Sequence, residues 1–332
     1  MLLGHSGISK WKWLEISIIA FHMPLFFFLS GLTSSVRDIK KEFFNGLRYI
    51  LVPYFIFYVI TYIWWFAVVF LRQKNDSASF LIDGIAKPLL GCVIGTSQKT
   101  EWSIHTGTGL WFLPALFWTK IIESFAYTVK KEKTFVVEIP VIAVCVAFSY
   151  LLYVTDTFTP FWIGNGCMAY PFYVAGKYSK NYLKNNEGNF FLKWGIFILC
   201  IFVFIFSLPK TEGISIAYIW FSFTRKSYNF SVVLWAYIGA LAAVYCTVQL
   251  CRFVQKIPVF FLFLAQNTIT ILAFNGILIA LFAVCMNHIF HTSFYDLGII
   301  LKILCVFLIL CISAFPCFCM ESLFPKLLHK RK

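Results

Sequence analysis

Residues 190–208 read FFLKWGIFILCIFVFIFSL, nineteen positions of which Lys193 alone carries a charge. A bilayer core about 30 Å thick needs roughly 20 apolar residues in a helix, because lipid offers backbone N–H and C=O groups no partner and a helix satisfies them internally. Working outward, comparable runs recur near 13–32, 48–71, 109–129, 134–154, 161–178, 230–250, 258–286 and 297–320, making nine complete spans. Met1 to Gly7 enters on apolar residues with no charged flank, and reads as the tail of a tenth helix cut short at its start. The expected fold is an all-α integral membrane protein of about ten transmembrane helices, residues 1–332 forming one membrane-embedded domain. No cleavable signal peptide is expected, since the basic flank and small-residue cleavage site are missing.

Composition agrees. Of 332 residues 60% are hydrophobic, 20% aromatic and 13% charged, where a soluble domain carries about a quarter charged. The net charge of +14 would suggest nucleic acid in a soluble chain, but the basic residues lie between apolar runs as topology signals, so no nucleic-acid partner is expected. One set of alternate connections, from Arg37, Lys40, Lys41 and Arg48 to Lys326, Lys330, Arg331 and Lys332, holds 17 Lys and Arg; the opposite set holds nine. The positive-inside rule then places both termini in the cytoplasm. The apolar piece from Phe80 to Thr96, interrupted by Pro88 and Gly91, reads as a re-entrant or interfacial segment rather than a span.

The eleven cysteines lie mostly in apolar runs and read as small hydrophobes; Cys317 and Cys319 form a C-x-C without a second Cys/His pair, and no metal site is expected. Ionisable groups inside spans are costly and point to function. His5 closes the short first helix and His22 lies within the next span, in FHMPLFFFLSG from Phe21 to Gly31. Antiparallel helices would bring both imidazoles to a similar depth, where a side chain titrating near neutrality can take a proton from a hydroxyl and return it to a leaving group. The bland alternative makes His5 interfacial and His22 a packing hydrogen-bonder. Arg48, five residues before Pro53 in Leu47 to Tyr54, suits an anionic ligand or a snorkelling anchor equally. His105, in the long connection 72–108, reads as a solvated loop residue or an acceptor contact.

The ordered motifs Gly4-His5, Phe21 to Gly31, Arg48 with Pro53-Tyr54, Leu110-Trp111-Phe112-Leu113-Pro114, and Ala265-Gln266-Asn267-Thr268 resemble the membrane-bound acyltransferase type 3 family, in particular its fucose acetylase-like branch. The resemblance implies an O-acyltransferase that moves an acyl group, usually acetyl, from acyl-CoA to a sugar hydroxyl of a cell-surface glycan or its lipid-linked precursor. It implies acetyl-CoA as a donor substrate rather than a bound cofactor, His5 and His22 as catalytic, Arg48 on the CoA phosphates, and Trp111 and Asn267 against substrate. It places the chain in the inner (plasma) membrane. Two departures stand out. Family members carry a basic residue eleven positions before the first histidine, and several place a histidine where Asn275 stands. The alternative class is a polysaccharide or lipid-linked sugar exporter, disfavoured because no pair of related halves is visible.

Overall fold

The computed structural model describes residues 2–6, 12–35, 38–68, 70–72, 80–94, 108–130, 135–155, 159–185, 190–210, 230–254 and 256–324. Helix is the only regular structure among them. The elements are α1 (Leu2–His5), α2 (Lys12–Leu32), α3 (Ile39–Val68), α4 (residues 80–94), α5 (Phe112–Lys130), α6 (Phe135–Val154), α7 (Ile163–Asn185), α8 (Phe190–Lys210), α9 (Phe230–Cys251), α10 (Val259–Gln266), α11 (Thr268–Phe290), α12 (Ile299–Ile312) and α13 (Ala314–Leu323). With α10–α11 and α12–α13 each forming one broken helix, the described residues hold nine long segments where the nine spans were expected, together with the shorter α4 and α1. Six of the nine are long and apolar enough to cross a membrane. The other three, α5, α6 and α7, are 19 to 23 residues long but carry polar groups whose partners are described below.

Proline explains two of the places where the helices depart from regularity. Pro53 and Pro88 have no N–H, and their rings collide with the carbonyl four residues back. Those carbonyls, on Tyr49 and Gly84, both sit in π-helical turns, Leu47–Leu51 and Ile82–Ala86, where one wider turn accommodates the ring. At Asn267 the backbone leaves helical geometry (φ −105°, ψ 23°), dividing the span expected at 258–286, which extends to Phe290. The next span breaks at Ser313, whose hydroxyl donates to the Leu310 carbonyl at 2.6 Å.

Between helices in lipid the association comes from close packing and polar contacts. Helices α2 and α7 touch backbone to backbone: a Cβ on Gly31 would overlap the Tyr173 carbonyl, and one on Gly176 the Phe28 carbonyl. This crossing sets α2 on one face of α7, with α5 and α6 also packed against α7. The pair α8 and α9 adds to the same side of α2, and α8 is the span with the largest share of residues facing outward.

The interrupted segment after α3 is a helix. Tyr54, Tyr58 and Tyr62, one turn apart on α3, donate to the carbonyls of Cys92, Pro88 and Gly84 at 3.1, 2.8 and 2.7 Å. The three bonds run in opposite chain order, so α4 lies antiparallel along α3 and its C-terminal end reaches down to the level of Tyr54. Pro88 removes the helical donor that Gly84 would otherwise receive, and Tyr62 replaces it.

Candidate functional site

His22 and the contact made by Gly4 share one turn of α2. His22 Nδ1 lies 3.0 Å from the Ile18 carbonyl. A carbonyl only accepts, so Nδ1 carries the proton in this contact. Ile18 is also the residue against which α1 packs: a Cβ on Gly4 would stand 3.1 Å from its Cγ2. The backbone preceding His5 therefore comes close to Ile18, one turn before His22. The His5 side chain lies outside the described residues, as does His105.

Next to this turn begins a cavity of about 310 Å³. Met23 and Phe112 close its inner end, and it opens past Ser30, Thr33, Tyr49 and Thr268 at the end of the bundle where α2 finishes and α3 begins. That is the basic end of the sequence charge count. Arg48 stands there exposed, its guanidinium carbon 5.4 Å from the centroid of the Tyr49 ring that lines the opening. Asn267 is placed differently. It is 2% exposed, and its amide nitrogen donates to the Phe263 carbonyl at 3.0 Å and to Glu321 Oε1 at 2.9 Å. Asn267 thus pins the break between α10 and α11 to α13 and thereby presents Thr268 to the cavity.

Trp111 lines a second, smaller hollow on the other side of Met23, with Pro24, Asn165 and Phe172. Its ring packs on Trp162, centroids 5.4 Å apart. Phe161 and Trp162 both have positive φ, 56° and 58°, a conformation that costs bulky L-residues about 1–2 kcal/mol each. The strained turn packs Phe161 on Tyr54 and Trp162 on Trp111, so α3, α5 and the start of α7 share one aromatic wall. Asn275, buried in α11, supplies an amide where the resemblance expects an imidazole.

The largest polar cluster was not expected. Lys177 of α7 lies between Glu123 of α5 at 3.0 Å and Glu138 of α6 at 2.8 Å, and Tyr170 donates to the other oxygen of Glu138. Nearby, Lys120 reaches Glu42 at 3.2 Å. Glu42, Glu123 and Glu138 are all buried. Glu42, Glu123 and Glu138 sit within two turns of a helix end, so the sequence alone presents them as residues of the membrane edge. Two acidic residues just inside spans of a basic chain were the available signal. The cluster stitches α5, α6 and α7 together at the basic end, beside the α2–α7 crossing.

The family model described as an acyltransferase domain matches residues 1–319. No curated protein and no solved structure matches the chain.

Proposed function

Since the chain belongs to the membrane-bound acyltransferase type 3 family, its domain running through residues 1–319, we propose that it transfers an acetyl group from acetyl-CoA to a sugar hydroxyl of a cell-surface glycan or its lipid-linked precursor. The observation that carries this reading is the cavity lined by Met23 and Tyr49, the chain neighbours of His22 and Arg48, with Gly4 packed on Ile18 one turn before His22.

The basic end faces the cytoplasm of the plasma membrane in this reading, as do both ends of the full ten-helix protein. Arg48 meets the CoA phosphates, a task suited to a planar guanidinium. The pantetheine arm follows the cavity past Tyr49 and Ser30 toward Met23. The sugar enters from the opposite side, where Trp111 and Trp162 form the aromatic wall. A histidine takes the hydroxyl proton as the sugar oxygen attacks the thioester carbonyl. The tetrahedral intermediate collapses with loss of the CoA thiolate, which recovers the proton as the free thiol. His22, its Nδ1 set against the Ile18 carbonyl, is one candidate for that base and His5 the second. A thioester is already activated, so positioning and exclusion of water account for most of the acceleration asked of the protein. Asn267 acts by holding Thr268 at the cavity mouth.

The test is transfer of labelled acetyl from acetyl-CoA to extracted surface glycan by membranes containing this chain. Removal of a general base costs typically 10²–10⁴-fold, so His5→Ala or His22→Ala should lower the rate by that order. Arg48→Gln should raise KM for acetyl-CoA with little change in kcat. Labelling that survives loss of both histidines would defeat the assignment of the base. No labelling of any glycan by the wild-type chain, with glycan export dependent on it, would replace the acetyltransferase by an exporter.

A further inference from the structure

We propose that the pocket between the basic ends of α8 and α9 binds the phosphate headgroup of an anionic membrane lipid. The pocket, about 360 Å³, is lined by Lys193, Trp194, Phe197, Gln249, Arg252 and Phe253 with Phe190 at its edge, and no carboxylate is among these residues. Its floor is aromatic: Trp194 packs on Phe197 and Phe253 with centroids 5.3 and 5.7 Å apart. Arg252 is held in place. Nη2 donates to the carbonyls of Tyr182 and Leu183 at 3.5 and 3.3 Å, Nη1 to Gln249 Oε1 at 3.3 Å, and the guanidinium lies over the Tyr182 ring. These contacts use the two Nη atoms, and Nε–H remains to meet an anion in the pocket.

Depth identifies the source of the phosphate. At the opposite ends of the same two helices Lys210 lies over Phe206 and Trp235, 4.5 and 4.7 Å from their centroids. Lys193 to Lys210 on α8, and Trp235 to Arg252 on α9, are each separated by seventeen positions, about 26 Å of helix. Paired belts of Lys, Arg and Trp at that spacing mark the two interfaces of a bilayer. The pocket therefore lies at headgroup level, on the span that faces lipid most. Phe190 and Phe253, both exposed, extend the floor toward the position of the acyl chains.

The full chain, purified in detergent, is incubated with dioleoylphosphatidylglycerol or dioleoylphosphatidylcholine, and retained lipid is counted by native mass spectrometry. Basic groups near a membrane surface contribute about fivefold each, so the wild-type protein should retain the anionic lipid about thirtyfold better. The preference should fall to parity in Lys193→Gln/Arg252→Gln. Equal retention by the wild type, or an undiminished preference in the double variant, would overturn the proposal. Arg252 also caps α7, so a second readout avoids that variant: the difference in emission between wild type and Trp194→Phe should be quenched more by brominated phosphatidylglycerol than by brominated phosphatidylcholine. Equal quenching overturns the site. Inorganic phosphate that alone reproduces the Trp194 response, with no lipid preference, would assign it to a soluble anion and overturn the lipid reading. None of these measurements depends on acyl transfer.

Discussion

Replacing Lys177 with Met keeps the length and apolar stem of the side chain and removes only its charge, which leaves Glu123 and Glu138 facing each other in a buried site. Each carboxylate oxygen is within about 3 Å of the same nitrogen, so the two are no more than about 6 Å apart, and at an effective dielectric near 20 their repulsion is about 3 kcal/mol. Truncating one partner of a buried pair costs about 3–5 kcal/mol in general, the larger part being the charge left behind. The loss for Lys177→Met should fall in that range, measured as the apparent unfolding free energy in mixed micelles. The diagnostic step is the double variant Lys177→Met/Glu138→Gln. Neutralising one carboxylate removes the repulsion while the amide still accepts from Tyr170, so at least half of the lost stability should return. A single variant within about 1 kcal/mol of wild type, the value of an exposed pair, would refute the reasoning. So would a double variant no more stable than the single one.

The tyrosine ladder makes α4 separable from the rest. Changing Tyr54, Tyr58 and Tyr62 together to Phe should cost about 0.5–1.5 kcal/mol per bond and raise amide exchange selectively over residues 80–94, with α8 and α9 unchanged as internal reference. Gly176→Leu places a branched side chain against the Phe28 carbonyl and should abolish recovery of folded protein by size-exclusion chromatography, whereas Gly195→Ala, with open space around it, should leave recovery unchanged. Asn267→Ala removes the donor to Glu321 and should raise KM for the acyl donor more than it lowers kcat, because Thr268 at the cavity mouth loses its anchor. Trp111→Ala should instead weaken the response to the sugar acceptor with the donor KM preserved; a donor-only effect would misplace the aromatic wall.

Sequence was most informative where lipid imposes the rule. An unbroken apolar run of about 20 residues has few alternatives to a spanning helix, and the nine segments follow from it even in α5, α6 and α7, where polar groups intrude. Gly4-His5 and His22 stood out in the sequence because membrane histidines are expensive and their helices are adjacent in the chain, and of the two side chains His22 alone is described. Helix α4 was harder to read: Pro88, Gly84 and Gly91 interrupt its hydrophobicity, and what holds it is a row of hydroxyls on another helix. The spacing of Tyr54, Tyr58 and Tyr62 was the legible trace of that row. The ionic cluster depends on three helices converging, so Glu123, Glu138 and Lys177 look independent until the fold joins them. The turn at Phe161 and Trp162 had no sequence signal, since neither residue favours positive φ.

The glycine contact of α2 with α7 also has a meaning in time. Gly31 and Gly176 are separated by about 145 residues, which a ribosome adds in roughly 7 to 30 s. The turn of α2 that ends with its backbone against Tyr173 must wait through that interval with lipid or an insertion factor on its exposed face. Three spanning segments, α3, α5 and α6, are made in between. The helix that bears His22 is thus made well before α7 and can be seated only after the middle of the chain has followed it, so its packing is paced by a helix that carries neither candidate histidine.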